Sequence, residues 1–144
     1  MLIQAILKSK SGEGVVTVKP DANVAEAAKI LAEKRIGTVV VSQDGTTADG
    51  ILSERDIVRE LAQSGGGCLQ QNVSDYMTRK LVTCTSQSNV EEVLTQMTEG
   101  RFRHMPVLEG EKLVGIVTLG DVVKAQLSAV AMEKDALEGM IMGH

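Results

Sequence analysis

Two short stretches of the chain have the residue types and spacing to hold a phosphorylated sugar. They are Gly50-Ile51-Leu52-Ser53-Glu54-Arg55-Asp56 and Gly115-Ile116-Val117-Thr118-Leu119-Gly120-Asp121. In each, a glycine and two apolar residues read as a strand end, and a hydroxyl residue with aspartate three positions later reads as a helix start. A helix opening there presents free backbone N–H groups and the positive end of its dipole, which suits a phosphate. The carboxylates of Asp56 and Asp121, one turn in, can each accept two hydrogen bonds, as many as a ribose cis-diol donates. The hydroxyls of Ser53 and Thr118 can serve sugar or phosphate from the same mouth. The spacing equally suits plain helix capping, which needs no ligand. The two uses are compatible, so spacing alone leaves both open.

The elements that must position these stretches are themselves duplicated. Val16-Thr17-Val18 has its match in Val82-Thr83-Cys84, and Asn23-Val24 in Asn89-Val90, at one constant offset. Apolar residues follow at helical spacing, Val24, Ala27, Ala28 and Leu31 in one half and Val90, Val93, Leu94 and Met97 in the other. Asn23/Glu26 and Asn89/Glu92 are expected capping pairs. Apolar runs at 36–41 and 105–108 each precede a turn, Asp44-Gly45 or Glu109-Gly110, and a returning strand that carries the motif. The order per half is β-α-β-β-α, and the fold class is α/β (α+β). Two such units, each too small to bury its sheet alone, are expected to pack sheet to sheet with pseudo-twofold symmetry and a cleft between them.

The boundaries expected are 1–66 for the first repeat with an N-terminal arm and glycine-rich linker, 67–126 for the second repeat, and 127–144 for a C-terminal helical tail. The glycines at 65–67 give the linker its backbone freedom. The tail carries Val123, Leu127, Val130, Leu137 and Met140 at mostly helical spacing, suited either to packing on its own repeat or to a dimer contact.

Composition excludes several function classes. Of 144 residues, 43% are hydrophobic but only Tyr76 and Phe102 are aromatic, too few for base-stacking platforms. A formal charge of -4 argues against a broad basic surface for nucleic acid or anionic membrane, so any anion site is local. Two cysteines and two histidines in no close motif give no metal site. Cys84 is expected to be buried in a strand and Cys68, after the glycines, to be open to solvent. No apolar run reaches the roughly 20 residues that span a bilayer. A cytoplasmic, reducing setting is expected. Gly143 and His144 are given no role.

The duplicated motif, set behind an amphipathic helix and a hairpin in both halves, closely resembles the CBS (cystathionine-β-synthase-type) domain. Two in tandem resemble a CBS pair, or Bateman module, over residues 14–126, and most of all the stand-alone bacterial CBS-pair proteins related to those of plant organelles. The resemblance implies that Asp56 and Asp121 hold ribose, and that Ser53 and Thr118 hold ribose or phosphate. Phe102-Arg103-His104-Met105-Pro106-Val107 resembles the family's strand with phosphate-contacting basic residues, as in the γ subunit of AMP-activated protein kinase, which assigns Arg103 and His104 to phosphate. They would serve the Asp121 site, whose adenine would lie against Val16, Ile36, Gly37, Thr38 and Ile116. By the repeat offset the counterparts of Arg103 and His104 are the uncharged Gly37 and Thr38. The Asp56 site should therefore bind phosphate less tightly, unless Arg55 or a basic residue of the N-terminal arm compensates there.

The function implied is a regulatory sensor that binds AMP, ADP, ATP or NAD(H) between the repeats, with no catalytic cofactor, as a homodimer that acts on a partner protein. The alternatives are an enzyme acting on the nucleotide, for which no nucleophile–base pair is evident, and a structural dimerisation unit with a vestigial cleft.

Overall fold

In the computed structural model, which describes residues 1–10 and 14–141, the chain opens with α1 (Ile3–Ser9). The first repeat follows as β1 (Thr17–Val18), α2 (Val24–Lys34), β2 (Thr38–Val41), β3 (Gly50–Ser53) and α3 (Glu54–Ser64). After 3-10 turns at Gly66–Gln70 and Val73–Asp75 come α4 (Val90–Gly100), β4 (His104–Glu109), β5 (Lys112–Thr118) and α5 (Leu119–Ile141). Gly143 and His144 lie outside the described residues.

Helices α2 and α4 form where the apolar stripe demands, burying Val24, Ala27 and Leu31 in one and Val90, Val93 and Met97 in the other. Asn23 caps α2 by accepting from the Glu26 amide at 2.8 Å, and Asn89 caps α4 through Glu91, not Glu92, at 2.8 Å. Both helices end on an arginine in the left-handed region, Arg35 at φ 55° and Arg101 at φ 57°. Glycine is the usual residue there, because a Cβ makes the conformation costly.

The first sheet has the order β1-β2-β3, with β1 parallel to β2 and β2 antiparallel to β3. The second sheet is the pair β4-β5. Its expected first strand is reduced to one bridge between Cys84 and Val107. The cause is Pro106. In the first repeat the Val40 amide donates to the Val16 carbonyl at 3.1 Å, and Pro106, in the place of Val40, has no N–H to give Val82. The next bond survives, Leu108 N–H to the Cys84 carbonyl at 2.8 Å, matching Ser42 N–H to Val18 at 2.9 Å.

Each repeat is completed by chain from before the other. Val90 and Ile3 donate backbone hydrogen bonds to Met1 and Ser88 across the start of α4, and Ile3 and Ile6 enter the core with Val93, Met105 and Val117. The linker does the same for the first repeat. Val24 N–H donates to Gln71, Val73 N–H donates to Ala22, and Val73 joins the core with Val39 and Leu52. The 3-10 turn at Gly66–Gln70 packs on α2 and α3. Cys68 is therefore only 2% exposed and not open to solvent, because the turn folds its side chain inward. Cys84 is buried as expected, and desolvation pushes its thiol up to about 11.

Helix α5 runs unbroken to Ile141. Val122 and Ala125 seat its first turns in the second core, whereas Leu127, Val130, Leu137 and Met140 are exposed.

Because Ile3 is fully buried, Ile3→Ala should cost about 2 to 5 kcal/mol of stability in urea denaturation. A loss below about 1 kcal/mol would mean that α1 is a dispensable cover for the second core.

Candidate functional site

The two motifs fold as strand-to-helix turns closed by reciprocal bonds. The Ser53 amide donates to Asp56 Oδ2 at 2.9 Å, and the Asp56 amide donates back to Ser53 Oγ at 3.2 Å. Thr118 and Asp121 repeat this at 2.9 and 3.1 Å. Capping is thus real in both copies, yet it uses one oxygen of each carboxylate. Asp56 Oδ1 meets only Arg59, at a long 3.4 Å, and Asp121 Oδ1 accepts from no described residue. The side chains of Asp56 and Asp121 are 18% and 26% exposed, so the second oxygen can reach a ligand.

Two clefts lie between the repeats. The larger, about 1010 Å³, is lined by Ile51, Ser53, Arg55 and Asp56 of the first repeat and by Val82, Phe102, Arg103 and His104 of the second. The smaller, about 670 Å³, is lined by Val16, Ile36, Gly37 and Thr38 of the first and by Ile116 and Thr118 of the second. Gly37, Thr38, His104 and Thr118 line both clefts. Thr38 Oγ1 and His104 Nδ1 share a hydrogen bond of 3.0 Å between the two repeats. Both volumes fall in the range of small-ligand pockets, about 300 to 1,000 Å³.

The five residues expected around adenine thus line one cleft together. Arg103 lines the other, with Asp56 and Ser53, and not the cleft that the adenine candidates share. The larger cleft takes both strand entrances, Gly37-Thr38 and Arg103-His104, and residues of both motifs, Ser53 to Asp56 and Thr118 to Gly120, whereas Asp121 lines neither cleft. His104 belongs to both.

The arm's basic residue also serves the opposite motif from the one expected. Lys10 Nζ donates to Asp121 Oδ2 at 2.8 Å and to the Ile116 carbonyl at 3.2 Å, and Lys10 lines the smaller cleft. Burial pushes the Asp121 carboxyl up, but the hydrogen bonds from Lys10 and Thr118 and the Lys10 charge outweigh it and hold the carboxyl below its ordinary value. For His104, desolvation lowers the pKa. Glu54 and Asp121 oppose that shift, while Lys10 and Arg103 reinforce it. The net direction is down, so the neutral imidazole is favoured relative to a free histidine.

Sequence reasoning missed Lys80, Arg101 and Lys124, which also line the larger cleft. They come from a loop, a helix end and the second turn of α5, and no motif spacing links them.

A duplicated β-α-β-β-α unit whose halves exchange flanking segments and enclose two ligand-sized clefts defines a tandem-repeat binding module. The family model described as the CBS domain matches twice, over residues 12–63 and 73–128, and the chain belongs to this family as a tandem pair. The chain is 33% identical over 141 residues, 94% of its length and 68% of the relative's, to CBS domain-containing protein CBSX3, mitochondrial, of Arabidopsis thaliana. Among solved structures, a CBS-domain-containing protein from Agrobacterium tumefaciens is 44% identical with a TM-score of 0.82, covering 88% of this chain and 99% of that one. The CBS domain pair of protein MJ0100, in complex with 5′-methylthioadenosine and S-adenosyl-L-methionine, is 25% identical with a TM-score of 0.77, covering 90% and 98%.

Lys10→Met should raise the Asp121 pKa, read by NMR titration of the carboxyl carbon. A lowered folded pKa gives stability that is full above the unfolded value near 3.8 and lost as pH falls through the folded value. The parent should therefore lose more stability than Lys10→Met on acidification below about pH 4. An Asp121 pKa unmoved by the substitution would mean that Lys10 does not hold it.

Proposed function

We propose that the protein is an adenosine-nucleotide-binding regulatory module, not an enzyme, that takes AMP, ADP, ATP or NAD(H) between its repeats. The observation that carries this reading is that each capping aspartate keeps Oδ1 outside its cap at a helix start, with Ser53, Asp56 and Thr118 on the wall of an inter-repeat cleft. Asp56 and Asp121 then accept from ribose hydroxyls, with Ser53 and Thr118 beside them. Adenine enters the smaller cleft against Val16, Ile36, Gly37, Thr38 and Ile116. Arg103 and His104 meet phosphate in the larger one. The related pair of protein MJ0100, with its two adenosine compounds, supports the ligand class.

Each cleft has walls from both repeats, so a ligand that binds one packing of the halves better than another shifts the equilibrium between them, about tenfold per 1.4 kcal/mol of difference. That shift is the signal read by a regulated partner. Exposed Val58, Leu127, Val130 and Met140 on α3 and α5 support a homodimer. Deletion after Gln126 should then weaken self-association in light scattering, and a full chain that is monomeric at high concentration would remove the dimer. The same reading sets the protein in the cytoplasm, where its two buried thiols stay reduced.

Calorimetric titration with adenosine nucleotides tests the binding role. Asp56→Ala should weaken binding about tenfold or more, since a hydrogen bond to a charged group contributes roughly 1.5 to 3 kcal/mol. Unchanged affinity with lowered stability would leave Asp56 as a cap alone. Turnover of ATP or NAD(H) by the pure protein would make it an enzyme.

A further inference from the structure

The larger cleft gathers six of the chain's 15 lysines and arginines, Arg55, Arg59, Lys80, Arg101, Arg103 and Lys124, against the two carboxylates of Glu54 and Asp56. Arg59 is spoken for by Asp56 at 3.4 Å. Among the described residues, the other five have no carboxylate within ion-pair distance. They converge from four elements. Arg55 opens α3, Lys80 follows Thr78, which pairs with Ile51 beside the motif, Arg101 and Arg103 flank Phe102 between α4 and β4, and Lys124 lies on α5. In a chain whose net charge is -4, so local a surplus of cations repels itself unless an anion enters.

Arg101 adds a second, independent observation. It holds the left-handed position that ends α4, at φ 57°, where glycine is free of the steric cost. Arg35, its counterpart at φ 55°, does the same at the edge of the smaller cleft. A guanidinium retained against backbone cost at each cleft edge points to a task for the side chain. Arginine's fork also matches phosphate oxygens bidentately.

A monophosphate carries at most about two charges and leaves most of the charge of five unpaired cations unbalanced. Each further phosphoryl group adds oxyanions and lengthens the chain that presents them. Resting on the adenosine-nucleotide reading above, we propose that the larger cleft is an oligophosphate site. It selects an adenosine di- or triphosphate over the monophosphate, with Arg101 and Lys124 holding the distal phosphates.

The test is calorimetric titration of the full chain with adenosine, AMP, ADP and ATP at low salt in EDTA. Affinity should rise in that order, with ATP at least about tenfold tighter than AMP. The ATP-to-AMP ratio should shrink as salt is raised, since the difference is ionic. In Arg101→Gln/Lys124→Gln, which removes charge without emptying a core, the ratio should fall below about threefold. Equal affinity for AMP and ATP in the parent would overturn the oligophosphate site while leaving the adenosine reading intact. So would a ratio that survives the double change, or one that collapses instead in Lys34→Gln at the smaller cleft. Failure of all four compounds to bind would remove the adenosine reading itself, and this inference with it.

Discussion

Everything at the clefts hangs on one short-range interaction, the reciprocal bond between a hydroxyl residue and an aspartate where a strand becomes a helix. The cap costs the chain no ligand-binding capacity, because it engages Oδ2 and leaves Oδ1. Capping of this kind contributes about 0.5 to 2 kcal/mol, so the carboxylate is held whether or not a ligand is present. The first amide of each helix extends the brace. Glu54 N–H donates to the Gly37 carbonyl at 2.9 Å, and Leu119 N–H donates to Arg103 at 2.8 Å. Strand entrance and helix start are thus tied directly to each other within each repeat.

The pseudo-twofold then decides which groups meet. The two strand entrances meet across the pseudo-twofold, where Gly37, Thr38 and His104 line both clefts and Arg103 lines the larger alone. Divergence between the copies at Gly37/Arg103 thus adds a guanidinium to one cleft from units of like fold. The exchange of flanking segments binds the halves further. Ile3 completes the second core and Val73 the first. Neither repeat has its full core without a segment that precedes the other, and that makes the pair the folding unit.

The helices of both repeats, the hairpins and both capping turns were legible from the sequence because each rests on local spacing within about a dozen residues, whereas α1 was read only as an arm. The shortened first strand of the second repeat was legible in principle, since Pro106 stands where Val40 donates, but it required aligning one repeat against the ladder of the other. Three features were not legible. The inward fold of Cys68 depends on a 3-10 turn that glycines permit but do not dictate. The left-handed backbone at Arg35 and Arg101 carries no signal, because the residue there is not the glycine that marks such an end. The grouping of Arg103 with Asp56 depends on how the repeats pack, and adjacency to its own repeat's motif pointed only to Thr118, which shares that cleft.

The two clefts differ most in how their charge is balanced. Of the three cations lining the smaller, Lys10 is paired with Asp121 at 2.8 Å, while Lys34 and Arg35 have no carboxylate within ion-pair distance among the described residues. A ribose approaching Asp121 meets a carboxylate already compensated, and gains only what Oδ1 offers. At the larger cleft the aspartate has a single distant arginine partner, and five further cations stand uncompensated among the described residues. These side chains are exposed, so salt screens their mutual repulsion until an anion enters and charge-assisted hydrogen bonds favour it. The steeper dependence on ligand charge therefore belongs to the cleft that contains Asp56, where five cations stand unpaired against two at the smaller.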